Sequence, residues 1–306
     1  MTEKYDLIIV GAGPAGLTAG LYAIRSGLKT AIVSKDIGGT ANSILLLENW
    51  PGFNGKGIEL IKKIYNQIRE YEKRGISFIM DDVENIEKDK DKFLVKTKKK
   101  VLESVAVIIA TGTERKKLNI KGEKEFTGMG VSYCVTCDAF FFKGKTVAVI
   151  GGSDCAATSA LALSDLAKKV YIVYRGKKLR CEDITSNRLE KKGNVEIFYD
   201  SIPKEIAGKE KVEKLIIEIK GKIKEIALDG IFVEIGSVPL IKFTEGLKLK
   251  TDSEKYIIVD EDMKTNVPGV FVAGDITNRK LKQVIVASSQ GAIATKSAYD
   301  YISKLR

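Results

Sequence analysis

A glycine-rich turn near the N-terminus constrains the fold of this chain more than any other feature. An apolar run at residues 5–10 leads into Gly11-Ala-Gly-Pro-Ala-Gly16, and apolar residues then recur at helical spacing as far as Gly27. A second apolar run follows at residues 30–34. The order strand, glycine turn, helix and strand predicts a βαβ unit of a doubly wound parallel sheet.

Each glycine of this turn has its own task in such a unit. Gly11 permits the tight turn, Gly13 lets the backbone approach a pyrophosphate at the helix N-terminus, and Gly16 lets the helix pack close to the strand. Asp36 follows where an acidic residue accepts a ribose hydroxyl, although an aspartate in a surface turn has the same appearance. The motif therefore predicts a bound dinucleotide.

The same pattern starts again at residue 146. Apolar residues 146–150 lead into Gly151-Gly-Ser-Asp-Cys-Ala156, a helix is predicted through Leu166, and another apolar run covers residues 170–174. A repeat of this length is too long for a solenoid. The sequence therefore predicts an α/β fold with two doubly wound, three-layer, Rossmann-like dinucleotide-binding domains.

The second domain is predicted to be inserted within the first. A length of 306 residues favours two domains, and turn residues or charges interrupt the strand patterns near Gly112-Thr113 and Leu240-Ile241. We predict a discontinuous domain of residues 1–112 and 241–306, and an inserted domain of residues 113–240. The remaining predicted elements are a helix at 58–71 that is capped by Gly75, strands at 212–219, 226–235, 256–259 and 270–275, and a final helix near 281–302.

The composition excludes several classes of function. Histidine is absent, which removes Ser-His-Asp and Cys-His hydrolysis, histidine-ligated metals and imidazole proton transfer. Lys and Arg number 51 against 40 Asp and Glu, a net charge of +11, but the lysines are interleaved with acidic residues. This pattern favours a solvated surface over a nucleic-acid-binding one.

The sequence carries no membrane or export signal. Its longest apolar run, residues 105–110, has the length of a strand, and the N-terminus lacks a basic region followed by an apolar stretch. We therefore expect a cytoplasmic protein whose partners include neither a membrane nor a nucleic acid.

Two of the four cysteines form Cys134-Val-Thr-Cys137, the spacing of a redox pair or of half a zinc site. Near a helix start, one sulfur of such a pair attacks a disulfide as a thiolate and the other resolves the mixed disulfide. Zinc needs two more ligands, and the only candidates, Cys155 and Cys181, stand alone and are best interpreted as small buried side chains. We therefore predict a redox pair and no metal site.

Asp138 directly follows the second cysteine. A partly buried carboxyl group at this position would serve as a proton donor to the cysteine chemistry. The same position suits the N-cap of the helical segment that follows, and the two roles are compatible.

Seven segments of the chain together match one known family. They are Gly11-Ala-Gly-Pro-Ala-Gly16, Gly38-Gly39, Glu48-Asn-Trp-Pro-Gly52, Ala110-Thr-Gly112, Tyr133-Cys-Val-Thr-Cys-Asp-Ala-Phe-Phe141, Gly269-Val-Phe-Val-Ala-Gly-Asp275 and Lys282-Gln283. In these segments the chain resembles the low-molecular-weight thioredoxin reductases, which belong to the FAD-dependent pyridine nucleotide-disulfide oxidoreductases. The resemblance runs from the first strand to the last helix, and the Cys-x-x-Cys-Asp segment is its most specific part.

The resemblance implies that residues 1–112 and 241–306 bind FAD and that the inserted domain carries the nicotinamide site and the cysteine pair, usually in a homodimer. It implies that Cys137 faces the flavin, that Cys134 attacks the disulfide of a thioredoxin-like protein, and that Asp138 is the acid. It also implies a rotation of the inserted domain about the two crossings, because the cysteine pair and the nicotinamide cannot both reach one flavin face. The residues implied for FAD are Gly11, Gly13, Ala15, Gly16, Asp36, Gly39, Asn49, Thr111, Gly112, Gly274, Asp275, Lys282, Gln283 and Val284.

The segments implied to bind NADPH depart from the family pattern. Ser153 places a hydroxymethyl group where the backbone must approach a pyrophosphate, and Gly176 replaces an arginine of the cluster that binds the 2′-phosphate. The neighbouring lysines restore positive charge without bidentate geometry. We therefore expect a degraded NADPH site that consists of Gly151, Ser153, Ala156, Arg175 and Arg180.

Three functions follow from these features. The first is an FAD-dependent thioredoxin-disulfide reductase that passes electrons from NADPH through FAD and the Cys134–Cys137 pair. The second keeps this chemistry but takes electrons from NADH or from a reduced ferredoxin, whose acidity suits a chain of net charge +11. The third, from another class, is a flavin-binding redox sensor or metal-binding protein without turnover.

Overall fold

The chain passes twice between two structural units. A computed structural model describes residues 3–44 and 47–306, apart from the side chain of Thr136. One unit comprises Met1–Glu114 and Val238–Arg306, and the other comprises Arg115–Ser237. These limits lie close to the predicted ones, and each unit contains one of the two glycine motifs.

The described residues contain six α-helices and nineteen strands. The helices are α1 (Pro14–Arg25), α2 (Gly57–Arg69), α3 (Val135–Asp138), α4 (Asp154–Ser164), α5 (Asp183–Glu190) and α6 (Val284–Leu305). The strands up to the first crossing are β1 (Glu3–Ala12), β2 (Thr30–Ile37), β3 (Leu47–Trp50), β4 (Phe53–Gly55), β5 (Ile76–Met80), β6 (Val83–Asp89), β7 (Lys92–Thr97), β8 (Val101–Ile109) and β9 (Thr113–Arg115). The strands after it are β10 (Val131–Ser132), β11 (Thr146–Ile150), β12 (Lys169–Val173), β13 (Val195–Phe198), β14 (Ser201–Gly208), β15 (Val212–Ile219), β16 (Lys222–Ala227), β17 (Gly230–Val233), β18 (Ser237–Pro239) and β19 (Val270–Val272).

The first unit is built on a sheet in the order β5-β2-β1-β8-β7-β6, with β19 beside the end of β8. Strands β5, β2, β1, β8 and β19 run parallel, whereas β7 and β6 continue the sheet as an antiparallel hairpin. Leu7, Ile8 and Ile9 of β1 are wholly buried, which is typical of a parallel strand covered on both faces. The carboxyl ends of the parallel strands therefore meet at one edge, where the first glycine motif lies.

Glycines, which have no side chain, let the helices of this unit pack closely on the sheet and on each other. A Cβ added to Gly16 would lie 1.8 Å from the carbonyl oxygen of Gly11, so α1 packs directly on the end of β1. Helix α6 packs on α1 at Gly291, and the hydroxyl group of Thr295 donates a hydrogen bond to the carbonyl oxygen of Ala19, 3.1 Å away. These contacts fix α1 between the sheet and α6.

The inserted unit has a parallel sheet in the order β10-β17-β11-β12-β13 and an antiparallel sheet in the order β14-β15-β16. Its core includes Ala148 and Ile150 of β11 and Leu215 of β15, all of them buried. The second glycine motif follows β11, as predicted. Each unit thus contains one parallel sheet of the doubly wound class.

Two predicted strands are wrong. Residues 226–235 form parts of β16 and β17 in different sheets, because Asp229 turns the chain between them and its carboxylate accepts the Thr146 N–H at 3.0 Å. Residues 256–259 form no strand, because Ile257 donates to the Ile276 carbonyl while Ile258 donates to the Lys250 carbonyl, so the two amides pair with different segments. Alternation of apolar residues could not reveal either partner.

Other predicted elements differ only at their ends. Strand β2 extends to Ile37 and so includes Asp36, which was expected to follow the strand. Helix α2 ends at Arg69, and the predicted cap Gly75, with φ +110°, ends a separate short turn. Within the described residues, no helix has the length and apolar character needed to cross a membrane.

The contact between α1 and α6 leads to a test of the fold. A Cβ at Gly291 would lie 2.1 Å from the Ala15 carbonyl oxygen, so Gly291→Ala should push the helices apart at a cost of about 2 kcal/mol. This exceeds the roughly 1 kcal/mol that alanine gains over glycine in a helix. We expect a lower midpoint of thermal unfolding, followed by circular dichroism, than for the control Gly193→Ala, whose Cβ would meet no atom within 4 Å. Equal midpoints for the two variants would contradict the close packing.

Candidate active site

The first glycine motif forms an open cradle at the start of α1. Gly11, with φ +105°, lies against the peptide that joins Ala110 and Thr111, and a Cβ there would be 2.4 Å from the Ala110 oxygen. Gly13 faces open space, since a Cβ on it would have only the Gly38 oxygen as a neighbour, at 3.9 Å. Helix α1 begins at Pro14 with no side-chain cap. Its first amides are therefore available to an anion such as a pyrophosphate.

The end of β19 adds an acidic group to this cradle. A Cβ on Gly274 would lie 3.1 Å from the Cβ of Ala15, so the Gly274-Asp275 segment adjoins the start of α1. Burial raises the pKa of the Asp275 carboxyl group, and the positive charge of Lys282 only partly opposes this. Lys282 donates hydrogen bonds to the backbone oxygens of Asp275 and Thr277 rather than to the carboxylate. The carboxylate is thus left to accept hydrogen bonds from a ligand.

Predicted flavin residues from distant parts of the sequence meet at the start of α6. The Asn49 amide donates to the Gln283 side-chain oxygen at 2.9 Å, and Gln283 is the N-cap residue of α6, which begins at Val284. Lys282 lies immediately before them, and burial lowers its pKa. One border of the cradle is therefore formed by β3 and the first residues of α6.

The other predicted FAD residues lie on either side of this cradle. Asp36 accepts the Gly39 N–H at 3.0 Å and is exposed, so one carboxylate oxygen orders the glycine turn after β2. Thr111 has its backbone nitrogen against Gly11, but its hydroxyl group donates to the Leu240 carbonyl at 3.1 Å. Gly112 accepts the Leu240 N–H at 3.3 Å, so this part of the motif also fixes the crossing of the chain.

Cys134 and Cys137 form a disulfide at the start of α3. Their Cα atoms are 5.3 Å apart. Cys134 is the N-cap residue of α3, and its sulfur accepts the Cys137 N–H at 3.2 Å. Cys134 is half-buried and Cys137 is exposed. The assignment of the attacking sulfur to Cys134 stays a prediction.

Asp138 directly follows Cys137, and its carboxylate is bound by Ser132. The Ser132 hydroxyl donates to Asp138 Oδ2 at 2.6 Å and accepts the Cys134 N–H at 3.0 Å. Asp138 begins the next helical turn but accepts no capping hydrogen bond there, so the predicted capping role is wrong. The carboxylate turns toward Ser132 because that hydroxyl offers it a buried donor.

The segment before the redox pair is also held by Tyr133, in addition to Ser132. The Glu123 carboxylate, only 4% exposed, accepts hydrogen bonds from the Tyr133 hydroxyl at 2.6 Å and from the N–H groups of Leu118 and Asn119. Burial and the adjacent Glu123 charge raise the pKa of Tyr133. The residue before the redox pair is therefore fixed as a neutral phenol.

The second glycine motif keeps the turn but changes the phosphate site. Gly151 has φ +144°, and α4 starts after Ser153 without a side-chain cap. Asp154, however, adds a carboxylate to the first turn, where it accepts the Glu182 N–H at 2.7 Å. A Cβ on Gly152 would fall within 2.5 Å of the Tyr174 ring, so this ring covers the loop.

The predicted NADPH residues fit a dinucleotide only in part. Ala156 is buried behind the turn and would lie against any Cβ on Gly151, which matches its packing role. Arg175 and Arg180 are exposed, and the Arg180 N–H donates to the Gly152 oxygen at 2.7 Å. The turn and the arginines suit a nucleotide phosphate, whereas the Asp154 charge opposes one.

The remaining cysteines differ from the expectation of small buried side chains, because Cys155 is exposed and Cys181 is half-buried. The pKa of both thiols is raised all the same, because each sulfur is partly shielded from solvent and lies near a carboxylate, Glu234 for Cys155 and Asp154 for Cys181. No cluster of three or more His, Cys, Asp or Glu side chains suited to a metal ion occurs in the part of the chain that the structure describes.

Sequence reasoning missed two residues that order the site. Ser132 binds both Cys134 and Asp138, and Gln290 of α6 accepts the Gly274 N–H at 2.7 Å. Both are buried polar residues. The sequence carries no local signal for either, because the groups that they bind are brought to them by the fold.

Comparisons with known proteins agree with this geometry. The family model of the pyridine nucleotide-disulphide oxidoreductases matches residues 5–291. A thioredoxin reductase of Listeria monocytogenes is 38% identical, over 99% of this chain and 95% of its own. The structure of Lactococcus lactis thioredoxin reductase has a TM-score of 0.94 at 35% identity and covers 98% of this chain and 99% of its own.

One further solved structure has ferredoxin in its name. It is a ferredoxin-flavin thioredoxin reductase from Clostridium acetobutylicum, with a TM-score of 0.53 and 33% identity, over 100% of this chain and 99% of its own. The cradle in the first unit, the Cys134–Cys137 disulfide in the second and these full-length matches lead to one conclusion. The chain belongs to the thioredoxin reductases of the pyridine nucleotide-disulphide oxidoreductase family.

Proposed function

We propose that this chain reduces the disulfide of a thioredoxin-like protein, using FAD and the Cys134–Cys137 pair. The observation that carries the proposal is the disulfide at the start of α3 with the Asp138 carboxylate held beside it. Full-length similarity to thioredoxin reductases supports the same reaction. A sensor or metal-binding protein without turnover would have no need of a proton donor beside the sulfurs.

FAD is the cofactor of this family, and the cradle of the first unit fits it. When bound, FAD supplies two-electron transfer to a disulfide. The Gly13 backbone and the start of α1 would hold the pyrophosphate, and Asp36 would accept a ribose hydroxyl. Asp275 would bond the ribityl or pyrophosphate region, and residues 282–284 would border the ring system.

Reduction of the substrate disulfide takes up two electrons and one proton, and it leaves one thiol and one thiolate. Two electrons and one proton break the Cys134–Cys137 bond into a thiol and a thiolate. The Cys134 thiolate attacks the substrate disulfide, and Asp138 gives a proton to the substrate sulfur that leaves. Cys137 then returns its proton to the Asp138 carboxylate and attacks the Cys134 sulfur, which restores the disulfide and releases the second substrate sulfur as a thiolate.

Two exposed aromatic side chains support a protein substrate. Phe140 and Phe141 directly follow the redox segment and are 74% and 69% exposed. Two adjacent aromatic side chains at this exposure form an apolar patch, and exposed apolar patches mark interaction sites. We therefore place the docking of the thioredoxin-like protein at these two side chains.

For the electron donor we propose NADPH, held by the second glycine motif with Arg175 and Arg180. A donor of another kind, NADH or a reduced ferredoxin, is the alternative, and specific observations favour it. Ser153 and the Asp154 carboxylate weaken the phosphate site, and a ferredoxin-flavin thioredoxin reductase is 33% identical to this chain. An acidic ferredoxin also suits the net charge of +11.

A homodimer and a cytoplasmic location complete the proposal. A groove of about 320 Å³ in the first unit is lined by apolar side chains that include Tyr22, Trp50 and Ile285. Tyr22 is 49% exposed, so a second copy of this chain would bury it. A redox-active pair in a chain with only four cysteines is typical of a cytoplasmic protein.

Single cysteine variants of the holoenzyme test the reaction. Cys134→Ser leaves Cys137 alone and should give a long-wavelength thiolate-to-flavin absorption band, while Cys137→Ser should trap a mixed disulfide through Cys134. Both should abolish disulfide reduction and retain about one FAD per chain. Trapping of the partner through Cys137 in the reciprocal variant would reverse the two roles, and colourless protein that cannot be reconstituted with FAD would overturn the proposal.

Variants of the second glycine motif test the donor. If NADPH is the donor, Ser153→Gly should lower its KM, because the backbone can then close on the pyrophosphate. Arg175→Ala should raise the KM by weakening 2′-phosphate binding. Rates of anaerobic flavin bleaching by NADPH, NADH and reduced ferredoxin provide the comparison. If neither variant alters the NADPH kinetics and ferredoxin bleaches the flavin faster, the alternative donor is correct.

Sedimentation equilibrium tests the proposed dimer. Tyr22→Glu introduces a charge into the groove and should convert the wild-type dimer to a monomer, because burying an unpaired charge is costly. Ile223→Glu is the control, since Ile223 is 63% exposed on the inserted unit. A monomeric wild-type protein, or a Tyr22→Glu variant that remains dimeric, would contradict this interface.

A further inference from the structure

We propose that Ser132 is a positioning residue that sets the proton transfer of the redox pair, by holding the Asp138 carboxylate and the Cys134 amide with one hydroxyl group. This inference rests on the proposed disulfide reduction and adds a role for a residue outside the Cys-x-x-Cys-Asp segment. Ser132 touches neither the sulfur atoms nor a substrate in the contacts described, so it acts through Asp138 and Cys134.

A closed set of hydrogen bonds supports this role. Ser132 is the last residue of β10 and is 5% exposed. Its oxygen accepts the Cys134 N–H at 3.0 Å, and its proton goes to Asp138 Oδ2 at 2.6 Å. The Cys134 carbonyl in turn accepts the Asp138 N–H at 3.1 Å. The three residues thus form a ring of bonds that includes the first sulfur-bearing residue and the acid.

The Ser132 proton has a second acceptor within reach. The Cys134 carbonyl oxygen lies 3.3 Å from the hydroxyl oxygen, farther than Asp138 Oδ2. A serine hydroxyl both donates and accepts. When Asp138 is ionised, the proton stabilises the carboxylate; when Asp138 is protonated, the hydroxyl can turn to the carbonyl and accept from the acid. Ser132 can therefore partner both states of a group that releases and regains a proton.

Few other ionisable groups near Asp138 compete with the Ser132 hydroxyl in setting its proton transfer. Asp138 borders a cavity of about 180 Å³, and the residues that line it from neighbouring segments, such as Gly130, Val131 and Phe142, are not ionisable. Two charged residues adjoin these lining residues: the Lys145 ammonium lies 5.5 Å from the centre of the Phe142 ring, and Asp229, next to Gly130, accepts the Thr146 N–H. On the element of Asp138 itself, the titratable neighbours are the two redox sulfurs.

Ser132→Ala in the full-chain holoenzyme tests the inference through a pH profile. Activity should fall at high pH, because the proposed reaction needs a proton donor. Ser132→Ala removes a partner of both forms of the acid, but the hydrogen bond to the charged form is the stronger one, so the fall should move to higher pH by about one unit. Ser132→Thr, which keeps the hydroxyl, should restore the wild-type profile. Ser201→Ala, at another buried serine of this unit, whose hydroxyl donates to the Tyr199 carbonyl, should leave the profile unchanged.

A second readout does not depend on turnover. In the oxidised protein, the carboxylate infrared band that is missing in Asp138→Asn should shift in frequency in Ser132→Ala relative to wild type, because the carboxylate loses the hydrogen bond from the Ser132 hydroxyl. A profile and a band that are both unchanged in Ser132→Ala, or an equal shift in Ser201→Ala, would overturn the role of Ser132. If the infrared shift occurs while the wild-type enzyme reduces no protein disulfide, the proposed function fails and the contact with Asp138 stands.

Discussion

The arrangement of the first unit depends on the close approach of Gly16 to the carbonyl oxygen of Gly11. A Cβ at Gly16 would overlap that oxygen at 1.8 Å, so no other residue lets α1 start directly on the end of β1. The start of α1 thereby lies at the carboxyl edge of the sheet, beside Gly274 and Asp275. Gly291 then lets α6 approach α1, and the first residues of α6 reach Asn49. The cofactor cradle is a consequence of these backbone contacts.

The two glycine motifs share a backbone but differ in charge. In the first, α1 begins without an acidic residue in its first turn, so the positive end of the helix dipole is free to bind a phosphate. In the second, Asp154 lies in the first turn of α4, and Ser153 replaces the glycine that approaches the pyrophosphate. The start of α1 is therefore more favourable to an anion than the start of α4, and this difference is the structural reason for proposing a second electron donor beside NADPH.

Local sequence patterns predicted the elements that depend on the apolar pattern and on glycines of the same segment. Strands β11 and β15 have the predicted bounds, and both glycine turns lie between a strand and a helix. The strand at residues 226–235 was wrong because its break depends on Asp229 bonding Thr146, a contact made by distant residues. Likewise the capping role of Asp138 was wrong because Ser132 offers a better partner than the following turn. Ser132 and Gln290 could not be identified from the sequence, since their importance comes from partners that the fold supplies.

An anaerobic reductive titration of the purified holoenzyme tests the central claim most directly. If FAD and the Cys134–Cys137 disulfide form one redox centre, full reduction should take about four electrons per chain, two for the flavin and two for the disulfide. Thiol counting should then find two new thiols that are absent before reduction. Complete reduction with only two electrons, and no new thiols, would contradict the account, because the flavin would then exchange no electrons with the cysteine pair.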